Sequence, residues 1–316
     1  MKMASDTRNS ENGSDKRAEL LIEALPWIKN ITGKTIVIKY GGSAMVDEEI
    51  RASVMNDILL LKLIGANIVI VHGGGKAINK AFDVYGIDVE FIEGQRVTST
   101  EAMEVVRSVL CGEVNQSLVR ALNVHGNLAV GLSGVDGGII VASSVDDELG
   151  RVGKITKVNK QLIDDLLERE YIPVIATVGL GVDGGFYNIN ADVAAGHIAA
   201  AIKAHKIIYM TDVDGLYKDF NDKNSLISNA SLSEIKAMID NDEVSTGMIP
   251  KLKSCIHALS GGVFRAHILN GCVKHSILLE LLTDDGIGTS LHSTDEACLY
   301  DAHPLGRFAS KLTINN

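Results

Sequence analysis

Short apolar runs of strand length alternate along this chain with longer stretches whose apolar residues recur at helical spacing. Ile36–Lys39 precedes a predicted helix from about Glu48 to Leu63, and Ile68–His72 precedes one from Lys76 to about Tyr85. A long helical pattern runs from about Thr100 to Val124, with Glu101 and Glu104 in the first turn, where acidic side chains suit the helix dipole. Further strands are expected at Leu128–Leu132, Ile139–Ser143, Pro173–Val178, Lys206–Tyr209 and Ala266–Leu269. The alternation predicts an α/β fold: a mainly parallel central sheet covered by helices on both faces, a three-layer αβα sandwich. Ligands in such sheets bind beyond the carboxyl ends of the strands.

One helix falls outside this rhythm. Arg17–Ile31, ahead of the first core strand, carries Leu20, Leu21, Ala24, Leu25 and Ile28 as an apolar stripe. Pro26 removes a backbone donor and is expected to kink it. The stripe either folds back on its own core or meets another copy of the chain. The polar stretch before it, Met1–Lys16, reads as a disordered lead without the apolar core of a signal peptide.

At 316 residues the chain suits one large α/β domain or two lobes. Its net charge of −10 argues against general binding to nucleic acid or a membrane surface. No apolar run approaches the roughly 20 residues of a membrane span. Cys111, Cys255, Cys272 and Cys298 are scattered without a CxxC pair, as expected for reduced thiols. The histidines lack zinc-site spacing, so no metal site is expected. These features describe a soluble, cytoplasmic protein.

The chemistry sits in three segments. Lys39-Tyr40-Gly41-Gly42 and His72-Gly73-Gly74-Gly75 each end an apolar run, and Asn188-Ile189-Asn190-Ala191-Asp192 opens an alanine-rich helix. Glycines just past a strand let backbone N–H groups approach an anion, and a lysine beside them adds mobile positive charge. That combination points to phosphoryl transfer, in which a protein mainly positions reactants and neutralises developing charge. Lys39 and Lys251 are the candidate cations, and Asp192 is placed to orient both ammonium groups. Lys251 follows the Gly247 turn in the first turn of a helix, an unfavourable place for a cation that suggests a function, although an exposed lysine tolerates it. Arg96 suits a bidentate grip on a carboxylate, or a surface ion pair. Asp212 and Asp214 follow a strand and either contact a ribose or metal or cap a turn.

Two other motifs mislead. Gly179-Leu180-Gly181-Val182-Asp183-Gly184 matches GxGxxG, but the next helix starts only near Ala191, so the segment is read as a turn between strands. Gly33-Lys34-Thr35 resembles the end of a Walker A loop, yet Ile28 stands where the first glycine is required.

With these residues assembled, the chain resembles the amino acid kinase family from about Leu20 to Thr289, and within it the members that act on N-acetyl-L-glutamate. The likeness rests on Ile38–Gly42, Val71–Gly75, Gly94–Thr98, Tyr187–Asp192, Thr211–Gly215 and Gly247–Lys251, which are specific in combination. The resemblance implies ATP with Mg²⁺ as donor and the side-chain carboxylate of N-acetyl-L-glutamate as acceptor, forming an acyl phosphate in arginine biosynthesis. It implies that Lys39 and Lys251 stabilise the transition state, with Asp192 organising them. Gly74 and Gly75 would offer N–H groups to the phosphoryl, Arg96 would hold the α-carboxylate and Asn188 the acetylamino group. Thr211, Asp212, Val213, Gly215, Leu216 and Ser245 would line the nucleotide pocket. Residues 33–203 would form the acceptor lobe and 204–292 the nucleotide lobe. A tail over 293–316 exceeds the family pattern and has no functional account. A carboxylate acceptor with a pKa near about 4.3 is already ionised at neutral pH and needs no general base; His72 is read as structural.

Arginine-inhibited members of this family carry a kinked N-terminal helix, here 17–32, and assemble as hexamers from interlaced dimers. They share an ILLE…GIGT pattern, present as Ile277–Glu280 and Gly286–Thr289. By resemblance His267, Glu280 and Gly286 contribute to a site for L-arginine. Some relatives associate with a PII signalling protein, which nothing in this sequence establishes. Two alternatives remain open: a kinase for N-acetyl-aminoadipate, whose extra methylene a pocket distinguishes by only about 1–3 kcal/mol, and a non-catalytic amino-acid sensor of the same fold.

Overall fold

Every second residue of the central strands faces a different hydrophobic layer. In β1 (Thr35–Tyr40), Ile36, Ile38 and Tyr40 join one core, while Val37 joins a second on the opposite face. β2 (Asn67–His72) divides likewise, Ile68 and Ile70 against Val69 and Val71. Strands buried on both faces need helices on both, which is why their sequence is continuously apolar rather than alternating. The computed structural model describes residues 21–293, except 46, 93, 220, 246 and 285. The expected lead, the first four residues of the N-terminal helix and the tail from 294 onward lie outside the described residues.

Eight strands form the main sheet. Its order is β12 (Asn229–Ser231), β14 (Thr289–His292), β13 (Arg265–Asn270), β11 (Lys206–Thr211), β1, β2, β8 (Ile172–Ala176) and β5 (Ala129–Ser133). All neighbours are parallel except β13 and β14. A second sheet orders β10 (Phe186–Asn188), β9 (Val178–Gly181), β6 (Ile140–Ser144) and β7 (Gly153–Val158). β3 (Phe91–Ile92) and β4 (Gln95–Arg96) form a small hairpin. In the GxGxxG segment Gly179–Gly181 belongs to β9 rather than to a turn, and the turn to antiparallel β10 begins only at Val182.

On one face lie α2 (Glu48–Leu63), α3 (Gly75–Tyr85), α4 (Thr100–Arg107), α5 (Asn115–Asn123) and α10 (Ser276–Leu282). The other carries α6 (Gln161–Glu168), α7 (Ala191–Ala201), α8 (Leu232–Asp240) and α9 (Ile249–Ser260). Helix starts follow local capping chemistry: Asp47 accepts from the Ile50 N–H at the head of α2, and Ser231 with Glu234 forms a capping box on α8. The N-terminal helix, α1, is seen over residues 21–31. Ile31 is buried, whereas Leu21, Ile22 and Leu25 are exposed in the single chain. No helix among the described residues is long and apolar enough to cross a membrane.

The helix expected over Thr100–Val124 departs from expectation. Between α4 and α5, Ser108–Val114 is π-helical. The wider turn accompanies close packing on the loop after β2: a Cβ at Gly74 would lie 2.8 Å from Leu110 Cδ2 and 3.2 Å from Val114 Cγ2. Such segments recur where a helix meets a functional site.

α7 and α9 cross closely, with His197 of one stacked on His257 of the other, their ring centroids 3.8 Å apart. Burial lowers His197 to about 4, aided by the neighbouring His257, and burial lowers His257 as well. Both folded values lie below the unfolded ~6.5, so the unfolded chain takes protons first as the pH falls. The contribution is complete above about 6.5 and is lost as the pH drops through that value toward about 4. Urea midpoints of the wild type should therefore fall more steeply between pH 6.5 and 4 than those of His197→Gln; parallel curves would show that the stack does not report on folding.

Candidate active site

The carboxyl ends of β1 and β2, side by side in the sheet, both open into a cleft of about 240 Å³. Lys39 shares the face of Val37 and reaches under the start of α7. There Asn190 caps the helix, its Oδ1 accepting from the N–H groups of Asp192 and Val193 at 2.9 and 3.2 Å. Asp192 lies in the first turn, and Lys39 Nζ meets its Oδ1 at 2.9 Å. Lys251, from the first turn of α9, meets Oδ2 at 3.2 Å. Burial alone would raise the Asp192 carboxyl, but the two ammonium groups outweigh it and hold it below the usual carboxylate range.

The far side of the cleft is built from β4 and β10. Arg96 is buried; its Nη2 donates to Asn79 Oδ1 at 2.5 Å, and its guanidinium lies 4.8 Å from the Phe91 ring centroid and 5.4 Å from that of Phe82. Its Nη1 is buried and has no hydrogen-bond partner among the described residues. A buried guanidinium donor left open in a cleft calls for an anionic acceptor. Asn188 is tied to the same corner: its Nδ2 donates to Thr98 Oγ1, which donates to the Arg96 carbonyl. Between Lys39 and Arg96 run Gly73, Gly74 and Gly75, with Gly74 capping α3. The first N–H groups of a helix have no intrahelical partner and favour an anion.

His72 takes no part in the cleft chemistry. It is fully buried, lowered to about 4 by burial, with Nδ1 3.0 Å from the Gly73 carbonyl and Nε2 3.0 Å from Asn115 Nδ2. A neutral ring donating from Nδ1 and accepting at Nε2 satisfies both contacts.

A second cavity, of about 280 Å³, lies beyond Lys251. It is lined by Thr211, Asp212, Val213, Gly215, Leu216 and Ser245, the residues expected at a nucleotide, together with Tyr217, Glu243 and Met248. Thr211 Oγ1 donates to the Val213 carbonyl and accepts its N–H, tightening the turn after β11. Asp214 stands behind this wall, accepting from Tyr217 Oη and Asn270 Nδ2, so of the roles left open for it the structure shows a structural one. Lys251 lines the second cavity and Lys39 the first, with Asp192 between them.

Residues 34–270 match the amino acid kinase family. The chain belongs to the amino acid kinase family. It is 50% identical over 277 residues to the acetylglutamate kinase of Caldanaerobacter subterraneus subsp. tengcongensis, covering 87% of this chain and 93% of that protein. It is 46% identical over 286 residues to the acetylglutamate kinase of Methanococcus aeolicus, covering 87% and 97%. At that similarity over that length the chain is a kinase of this family. Among solved structures, N-acetylglutamate synthase from Neisseria gonorrhoeae, complexed with coenzyme A and N-acetyl-glutamate, superposes with a TM-score of 0.78 at 25% identity; the match covers 88% of this chain and 63% of that one. Carbamate kinase from Giardia lamblia bound to AMP-PNP, at TM-score 0.60 and 14% identity over 83% of this chain and 99% of that one, shares the fold.

The third group of expected residues lies apart from both cavities. His267, Glu280 and Gly286 line a hollow of about 150 Å³, and Trp27 of α1 lines it too, donating to Asp284 Oδ1 at 2.9 Å. His267 Nδ1 lies 2.7 Å from Glu280 Oε1. Burial, with Lys206 and Arg265 nearby, keeps this imidazole neutral. Burial would raise Glu280, but His267 and the N–H groups of Ile287 and Gly288 hold it low and ionised. Gly286, at φ +59°, supplies the left-handed turn that aims those N–H groups.

Sequence reasoning missed Asn79, Phe82 and Phe91 around Arg96, and Thr98 behind Asn188. Thr98 adjoins Arg96 in a recognised segment; the others come from separate elements and give no local signal. The central ion pairs generate a prediction. Asp192→Asn leaves the buried Lys39 and the half-buried Lys251 facing each other without a counter-charge and should cost about 3 kcal/mol in urea unfolding at pH 7, with part recovered by adding Lys39→Met. An unchanged midpoint would mean that the lysines are held by other groups.

Proposed function

We propose that this kinase transfers the γ-phosphoryl group of ATP to the side-chain carboxylate of N-acetyl-L-glutamate, forming N-acetyl-L-glutamyl 5-phosphate for arginine synthesis. The observation that carries the reading is the junction of the two cavities at Lys39, Asp192 and Lys251. A phosphoryl group passing between a donor in one cavity and an acceptor in the other crosses that junction. Charge spreads over its oxygens in transit, and two ammonium groups there stabilise it.

The acceptor side follows from the same geometry. The open donor of Arg96 receives the α-carboxylate, and Asn188 receives the acetylamino group. The N–H groups at Gly74 and Gly75 meet the acceptor carboxylate and the incoming phosphoryl. An ionised carboxylate attacks without deprotonation, and His72, neutral and engaged at both nitrogens, is no base. Both oxygens of Asp192 already face lysines. Mg²⁺ therefore belongs to the nucleotide, held by phosphate oxygens and water, as its octahedral oxygen preference allows. Residues 33–203 act as the acceptor lobe and 204–292 as the nucleotide lobe.

We further assign the hollow beside α1 to L-arginine as a feedback inhibitor, with the ionised Glu280 as partner for its guanidinium. The exposed Leu21, Ile22 and Leu25 of α1 support covering of this helix by other subunits in a hexamer.

Hydroxylamine trapping of the acyl phosphate tests the reaction directly. Turnover is expected with N-acetyl-L-glutamate and not with glutamate or aspartate; preference for N-acetyl-aminoadipate would move the protein to lysine synthesis, and no turnover would sink the reading. Arg96→Lys loses the planar fork and should raise the acceptor KM about 10- to 100-fold, the equivalent of one charged hydrogen bond, with kcat changed far less. L-arginine should suppress the full-length enzyme but not a chain starting at Gly33; equal inhibition of both would remove α1 from the site.

A further inference from the structure

Behind the two lysines, a chain of hydroxyl groups joins three elements in the dry interior. Ser254, on α9, donates from Oγ to the backbone carbonyl of Asp192 at 2.5 Å. Tyr209, on β11, has its hydroxyl 2.7 Å from the same Oγ. Ser254 has one proton and a carbonyl can only accept it, so the Tyr209 hydroxyl must donate to Ser254. Ser254 is 4% exposed and Tyr209 is 0% exposed, so no water competes for either hydrogen bond. The close approach depends on Gly196 of α7, where a Cβ would run into Ser254 Oγ and lie 2.9 Å from its carbonyl oxygen.

Ser254 stands three residues after Lys251, on the same face of α9. Its hydroxyl grips the backbone of the residue whose side chain Lys251 meets. We infer that Ser254, oriented by Tyr209, is a positioning residue for phosphoryl transfer: it docks α9 on α7 and so holds the Lys251 ammonium at the junction of the two cavities. Among the described residues, the other hydrogen bond from α9 to Asp192 comes from the long, rotatable Lys251 side chain. The inference rests on the proposed role of Lys251 in stabilising the transferred group. The chain also links the site to the strand that leads into the cavity lined by Thr211–Leu216. Its members come from α7, α9 and β11, and nothing in the family-like motifs points to it.

A double-mutant cycle on the full-length chain tests this, with steady-state turnover of ATP and N-acetyl-L-glutamate and the thermal midpoint of every variant. Ser254→Ala should lower kcat roughly 10- to 100-fold, the usual scale for an ångström of misplacement. The acceptor KM, set by Arg96 and Asn188 on the other wall, should not move. In a Lys251→Ala background the same substitution should cost nothing further, because the group it positions is gone. Tyr209→Phe keeps the ring and loses only the donor; it should show a smaller loss with the same dependence on Lys251, and it carries the comparison if Ser254→Ala does not fold. Equal losses of kcat in both backgrounds would overturn the positioning role while leaving Lys251 in place. Undiminished turnover by Lys251→Ala alone would overturn the role assigned to that lysine, and the role of Ser254 with it.

Discussion

One buried carboxylate shared by two ammonium groups holds this protein's working parts in place. Asp192 is 6% exposed, and an isolated carboxylate at that depth would be neutral or would destabilise the fold. Lys39 and Lys251 keep it ionised, and it in turn keeps two cations close to each other at the floor of a cleft. Cations held in fixed positions in this way are the kind of group that stabilises charge developing on a reacting anion.

The sheet sets where this happens. Lys39 lies one residue before the end of β1, whose neighbours β2 and β11 run parallel to it, so the loops after all three strands emerge at one edge. One loop carries the glycines that open α3, another the wall of the second cavity. α7 and α9 bring their N-termini to the same edge, adding positive dipole ends to the lysine charges. The misplaced position of Lys251 in the first turn of a helix is resolved by Asp192, which neutralises it across the interface.

A second buried hydrogen-bonded pair, His267 with Glu280, follows the opposite logic. There the imidazole is neutral and only the carboxylate is charged, fixed by two backbone N–H groups from the turn at Gly286. The hollow it lines also holds Lys206, Arg265 and Asp284 and lies next to α1.

Much of the fold was legible locally. Apolar runs bounded by glycine marked β1 and β2, Glu48–Leu63 was helical as expected, and the spacing after Gly184 excluded a dinucleotide loop because no helix opens there. These features depend on backbone conformation and burial, which neighbouring residues dictate. The π-helical turn at Ser108–Val114 was not legible, since its residues carry an ordinary helical pattern and the widening accompanies packing on Gly74 from another loop. The sequence by itself determined the chemical inventory: two lysines, one aspartate, an arginine and glycines at strand ends. Only the tertiary structure decided that Lys251 meets Asp192 across 59 residues, that Arg96 keeps a buried donor open between two phenylalanine rings, and that Ser254 ties α9 to α7. Local propensity fixes what each segment can do alone, whereas convergence of distant groups depends on how whole layers pack.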